Sequence, residues 1–120
     1  MIFIGTDIVQ LSRIDRIILD KGQRFLSYIF TDYEQAICNA KISPHIHYGG
    51  KFAAKEAVKK VLMRSNIRKN IPLRRIEIQN DIDGAPLVIL KDVSCRLDNL
   101  EISISHTDEY ATATAIIEVK

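Results

Sequence analysis

The sequence predicts an α+β fold: a strand at the start, helices in the middle and antiparallel strands at the end. Three observations carry this. Residues 2–10, IFIGTDIVQ, are almost wholly apolar, as in a strand buried on both faces. Residues 51–64, KFAAKEAVKKVLMR, are dense in strong helix formers and set Ala54, Val58, Val61 and Leu62 on one stripe. LEISISH and YATATAIIEV alternate apolar and polar residues around Thr107-Asp108-Glu109, the pattern of a hairpin.

The remaining elements follow in order. Residues 12–19 are expected to be helical, with Ser12 as the N-cap and Ile14, Ile17 and Ile18 on one side. Lys21-Gly22 ends that helix, because glycine accepts the left-handed conformation a helix stop requires. A short second helix holds Phe25, Leu26, Tyr28 and Ile29. TDYE at 31–34 is a capping box, in which the Thr31 side chain and the Glu34 carboxylate each satisfy an orphan amide, and it starts a helix that runs to about Asn39. ISPHIHYGG then reads as a breaker-rich connection before the long helix. Strands are expected at 75–79, with Ile76 and Ile78 on one side, and at LVIL, separated by the Asp83-Gly84 turn. A short helix is expected at 92–97.

Composition bounds the function. The chain has 120 residues, with 47% hydrophobic and 27% charged, as expected for a single globular domain spanning residues 1–120. The net charge of +2 argues against extended nucleic-acid binding. No apolar run is long enough for a membrane span, and the start does not fit a secretion signal, so a cytoplasmic location is expected. Cys38 and Cys95 form no metal motif and are expected to be reduced and half-buried.

Asp7 is the anomaly. A carboxylate in an apolar stretch needs a basic side chain or a metal ion, unless it caps a turn. Glu56 lies inside the long helix with Lys60 at i,i+4 on one face and Phe52 one turn before it. A solvated ion pair would account for Glu56 and Lys60. Alternatively, Asp7 and Glu56 together could hold one hard cation, since Mg²⁺ takes one or two protein carboxylates with waters and phosphate oxygens. Lys60, with Lys51 and Lys55 nearby, could neutralise a pyrophosphate. Ser105, His106 and Thr107 end a strand, where His106 is either a core-edge residue or faces a ligand.

In combination, IGTDIVQLSRI, RFLSYIFTDYE, GGKFAAKEAVKKVL, DGAP and ISISHTDEYATATA resemble the bacterial holo-[acyl-carrier-protein] synthases along the whole chain. The resemblance implies the 4′-phosphopantetheinyl transferase fold. It also implies transfer of the phosphopantetheine arm of coenzyme A to a serine of apo acyl carrier protein, with Mg²⁺ as cofactor and adenosine 3′,5′-bisphosphate as product, in support of fatty acid biosynthesis. A homotrimer with active sites between subunits is part of the same expectation. Matched residue by residue, Asp7 and Glu56 become metal ligands and, with Lys60, the catalytic group. Lys51, Phe52, Lys60, Gly84, Pro86, Ser105, His106 and Thr107 line the coenzyme A cleft, and Arg13 and Arg24 meet the acidic carrier protein.

The sequence departs from that pattern in three places. Lys51 stands where arginine is usual, His47 where an aromatic is common, and VLMRSNIRKN after the long helix lacks the usual glycine. Two other functions are compatible with the same residues: a metal-dependent phosphodiesterase, marked by Mg²⁺-dependent cleavage of nucleic acid, and a non-catalytic coenzyme A or nucleotide-binding module, marked by binding without turnover.

Overall fold

The computed structural model of the chain describes residues 1–92 and 95–120, of which 95 and 96 by their backbone. The strand β1 (Ile2–Gln10) leads into helix α1 (Leu11–Lys21), followed by α2 (Gln23–Ile29), α3 (Asp32–Asn39) and the long α4 (Pro44–Arg64). After a 3-10 turn at Leu73–Arg75 come β2 (Ile76–Asn80), β3 (Pro86–Leu90), β4 (Cys95–Arg96), β5 (Leu100–His106) and β6 (Tyr110–Glu118). The strands form two antiparallel sheets, β1-β6-β5 and β2-β3-β4.

Helix α4 is the spine between them. Its Ala53, Ala54, Ala57, Val58, Val61 and Leu62 are completely buried against Ile76, Ile78, Val88 and Leu90 of the small sheet and Ala113, Ala115 and Ile117 of β6. Alternation does the sorting in β6, where Ala111, Ala113, Ala115 and Ile117 point inward and Thr112, Ile116 and Glu118 point out. A second cluster of Ile14, Leu26, Ile29, Phe30, Cys38 and Tyr48 joins α1, α2 and α3 to the start of α4, with the Phe30 and Tyr48 rings 4.8 Å apart.

Local signals are met where their chemistry is complete. Thr31 and Glu34 form both arms of the capping box. Gly22 stops α1 at φ 60°. At the end of α4, where glycine is missing, Asn66 takes the left-handed conformation at φ 64°, and the amides of Asn66 and Ile67 bond back to Met63 and Leu62. That is the paired stop usually built with glycine, and asparagine is among the few residues that tolerate it.

Five expectations are corrected. Ser12 is not the cap of α1: Gln10 holds that position without a side-chain bond, and the Leu11 amide instead reaches the Glu109 carbonyl in the β5–β6 turn. ISPHIHYGG is not a break, because α4 starts with Pro44 in its first turn and runs through Gly49 and Gly50. Both glycines are close-approach sites: a Cβ at Gly49 would meet the Leu11 side chain at 2.4 Å, and one at Gly50 would meet Ile104 at 3.2 Å. Strand β1 is covered on one face only, leaving Ile2, Ile4 and Ile8 more than half exposed. The helix expected at 92–97 does not form at 95–96, which pair as a strand with β3, while Val93 and Ser94 lie outside the described residues. Cys38 is wholly buried rather than half-buried, and burial pushes its thiol up to about 11.

Candidate active site

Asp7 lies on the helix-facing side of β1, between Gly5 and Val9. The glycine at 5 brings the strand against α4: a Cβ there would stand 2.4 Å from the Ala57 carbonyl oxygen and 3.3 Å from the Lys60 Cβ. At the other end, Val9 is 3.7 Å from where a Cβ of Gly49 would be. The strand therefore runs along the helix, with Asp7 opposite the turn between these contacts. Its carboxylate receives a 3.1 Å bond from the Lys60 ammonium, which also donates to the Thr6 carbonyl at 2.8 Å. The Asp7 side chain is 18% exposed and that of Lys60 is 53% exposed. The charge that looked misplaced in the strand is thus paired, but at the solvent edge rather than in the core.

Glu56 sits one helical turn before Lys60 and is half-buried. Among the described residues it takes no hydrogen bond and no ion pair, so its carboxylate is free for an external partner. No group of three or more His, Cys, Asp or Glu side chains converges among the described residues. Two carboxylates without a third suit a hexacoordinate hard cation that keeps waters or takes ligand oxygens, and do not suit a closed protein cage. The residues present fit Mg²⁺.

A cleft of about 220 Å³ opens at the far end of β5. His106 stands there, exposed, its Nδ1 3.3 Å from the Thr107 carbonyl, together with Lys41, His47, Gly50, Lys51, Asn80 and Ile104. The cleft is cationic. His47 is held below its ordinary pKa, chiefly by burial and then by the nearby Lys41, His106 and Lys51. Lys51 is buried and donates to the Ile78 carbonyl at 3.3 Å, which anchors it to β2 at the cleft wall. The hairpin carrying Gly84 and Pro86 springs from Asn80 on the same wall, with Gly84 at φ 86° and the Asp81 carboxylate accepting from the amides of Asp83 and Ala85.

The remaining residues singled out in the sequence are dispersed. Ser105 alternates with His106 and faces the open side of the sheet, beside Thr112. The Thr107 hydroxyl accepts from the amides of Glu109 and Tyr110 and shapes the turn. Phe52 faces a separate groove of about 220 Å³ with Arg13, Ile17 and Phe25, while Arg24 shares a shallow surface with Lys21, Phe25 and Tyr28. Lys55, placed near a pyrophosphate in the sequence reading, is wholly buried and bound 2.6 Å from Glu34. The capping box marked Glu34, but nothing in the local sequence marks its second oxygen, which accepts the Ile78 amide at 2.7 Å.

The structure thus sets a strand carboxylate beside a helix lysine, with a helix carboxylate one turn away, and opens a separate cationic cleft at the end of β5. A family model described as the 4′-phosphopantetheinyl transferase superfamily matches residues 3–115. Holo-[acyl-carrier-protein] synthase of Protochlamydia amoebophila is 42% identical over 94% of this chain and 94% of its own, and that of Chlamydia muridarum is 40% identical over 99% and 96%. The Helicobacter pylori holo-[acyl-carrier-protein] synthase, solved in complex with coenzyme A, superposes with a TM-score of 0.79 at 28% identity over 97% of this chain and 100% of that one. The Bacillus anthracis enzyme, solved with coenzyme A (3′,5′-ADP), gives a TM-score of 0.76 at 30% identity over 98% and 96%. The chain belongs to this superfamily, as an enzyme of its holo-[acyl-carrier-protein] synthase family.

Proposed function

We propose that the protein transfers 4′-phosphopantetheine from coenzyme A to a serine hydroxyl of apo acyl carrier protein in a Mg²⁺-dependent reaction that releases adenosine 3′,5′-bisphosphate and serves fatty acid biosynthesis. The observation that carries this reading is the edge where Asp7 meets Lys60, one turn from a Glu56 carboxylate with no protein partner among the described residues.

Asp7 and Glu56 would hold Mg²⁺, which when bound supplies charge neutralisation at the pyrophosphate. The serine oxygen attacks the β-phosphorus, a new P–O bond forms, and the bond to the bridging oxygen breaks. The electron pair leaves with adenosine 3′,5′-bisphosphate. Glu56, directly or through a bound water, is the proposed acceptor of the serine proton. Lys60 stabilises the charge that gathers on the leaving group, since its ammonium already stands at that edge. The cationic cleft with Lys51 and His106 suits the nucleotide end of coenzyme A, and the Gly84–Pro86 hairpin borders it.

The open sheet face supports an assembly. Ile2, Ile4 and Ile8 are 60%, 60% and 65% exposed there, beside Ile116 at 42%, an apolar surface unusual for a free monomer. We infer a homotrimer that covers this face and places Ser105 at the subunit contact. It would bring the His106 cleft of one subunit to the Asp7–Glu56 edge of the next. Among the described residues no helix is long and apolar enough to cross a membrane. The enzyme is proposed to act in the cytoplasm.

The carrier protein would dock on the surface around Arg13, Arg24, Phe25 and the exposed Tyr28, where basic side chains meet an acidic partner and association weakens with salt. An Arg13→Glu variant that bound apo carrier protein normally at low salt would remove this surface from the account. Transfer itself is tested by intact-mass spectrometry of apo carrier protein incubated with the enzyme, coenzyme A and Mg²⁺. The expected product gains one phosphopantetheine. Coenzyme A binding with unmodified carrier would instead mark a non-catalytic module.

A further inference from the structure

We propose that the buried Glu34–Lys55 pair is a positioning pair: it fixes the rotation of α4 about its own axis so that Glu56 and Lys60 face Asp7. This rests on the site assigned above.

The pair is fully built. Glu34 and Lys55 are both 0% exposed and 2.6 Å apart. The Lys55 ammonium uses all three of its donors, on Glu34, on the Leu73 carbonyl at 3.1 Å and on the Ile76 carbonyl at 2.7 Å. Glu34 accepts from the Thr31 amide at 2.9 Å through one oxygen and from the Ile78 amide at 2.7 Å through the other. No described buried side-chain nitrogen or oxygen lacks a partner. The Phe30 ring covers the ammonium at 5.4 Å.

The partners show what the pair is for. Among the described residues strand β2 is an edge strand, paired with β3 on one side only. Its other side presents backbone groups that a sheet leaves unmet, and here side chains of α3 and α4 meet them. Lys51, one turn before Lys55, adds its bond to the Ile78 carbonyl. The Lys51/Lys55 stripe is thereby locked onto β2. Successive helix residues are set about 100° apart, so Glu56 lies one step round from Lys55 and begins the stripe that contains Lys60. That second stripe meets β1, where Gly5 lets the strand touch Ala57 and Lys60. A helix held by apolar contacts alone can roll, because burial is non-directional. Directed bonds to three fixed backbone carbonyls and one carboxylate stop the roll.

Stability alone does not account for the pair. Removing two charges from water offsets most of their mutual attraction, so the pair's contribution lies in the backbone groups it satisfies: the Thr31 and Ile78 amides and the Leu73 and Ile76 carbonyls. What an apolar replacement lacks is direction.

The test replaces both members with apolar residues of similar size, Glu34→Leu with Lys55→Met, and uses Glu34→Gln as a second variant that removes only the counter-charge. Each is checked for cooperative unfolding and studied well below its melting temperature. Two quantities are read: the NMR resonances of the Gly5 amide and the Asp7 carboxyl carbon, and kcat against KM in the transfer assay. The folded double variant should shift both resonances and lose about 10–100-fold in kcat, the scale of a misplacement of about 1 Å, with KM for coenzyme A changed far less. Glu34→Gln, which sets an amide nitrogen against a backbone N–H or the Lys55 ammonium, should shift the same resonances. A folded double variant with parental resonances and parental kcat overturns the proposal. So does loss of cooperative folding in both variants, which would make the pair a stability element only. If the parent enzyme transfers nothing, the assigned reaction fails, and the resonances alone decide the positioning role.

Discussion

Lys55 and Lys60 stand on the same helix, and each is matched with a carboxylate from another element. Lys55 is 0% exposed and bound to Glu34, whereas the Lys60 side chain is 53% exposed and bound to Asp7. The buried pair is enclosed by backbone acceptors and the Phe30 ring, so its charges have no further partner to take. The edge pair is open to solvent and neighbours a carboxylate at 56 that has no partner among the described residues. The same two chemical groups therefore do different work according to the face of α4 they occupy. Enclosed charges hold geometry, and charges at the edge remain available to a ligand.

That contrast is broken most sharply by removing one buried partner. Lys55→Met leaves the Glu34 carboxylate in the interior without its cation and should destabilise the fold by about 3–5 kcal/mol, read by urea unfolding. A cost below about 1 kcal/mol, the range of exposed pairs, would erase the distinction between the faces.

Gly5→Ala probes the junction of β1 with the edge face. The added Cβ would lie 2.4 Å from a backbone oxygen that belongs to α4, so strand or helix must shift. A destabilisation of about 1–3 kcal/mol is expected, with a loss of transfer because Asp7 is two residues along the displaced strand. Parental stability and parental activity together would mean that the close approach does not position Asp7.

A smaller effect comes from the interior that backs the buried face. Burial pushes the Cys38 thiol up to about 11 from 9.0, and the Tyr48 phenol up to about 12 from 10.0, chiefly through desolvation. The unfolded chain loses these protons first as pH rises, so it binds fewer protons than the native state and stability falls. The loss should begin near the ordinary thiol value of 9.0 and be complete beyond about 12, amounting to about 2 kcal/mol or more. Chemical denaturation between neutral and alkaline pH measures it, and a flat profile would mean that both groups are solvated.

Much of the frame was legible because its signals are local. The Thr31–Glu34 capping box, the stop at Gly22, the Asp83-Gly84 turn and the alternation flanking Thr107 each depend on a few neighbouring residues. The start of α4 was not legible, because Gly49 and Gly50 read as breakers until Leu11 and Ile104 are seen packed against them. Nor could periodicity tell Lys55 from Lys60. One faces an edge strand and the other an open edge, and that difference exists only once β2 and β1 flank the helix. The open face of β1 misled for a similar reason: its isoleucines signal burial, and a single chain does not supply the cover. Asp7, Glu56 and Lys60 were singled out in sequence as an odd charge and a helical i,i+4 pair, and the fold joins Asp7 to Lys60 directly.

The most direct test of the edge face as the reacting one is Glu56→Ala, assayed by the intact mass of apo carrier protein after incubation with coenzyme A and Mg²⁺. Glu56 has no protein partner to lose among the described residues, so the variant should melt at nearly the parental temperature. Its transfer rate should fall by about 10²–10³-fold or more, leaving the carrier unmodified on the parental time scale. A variant that folds normally and modifies the carrier at the parental rate would contradict the assignment.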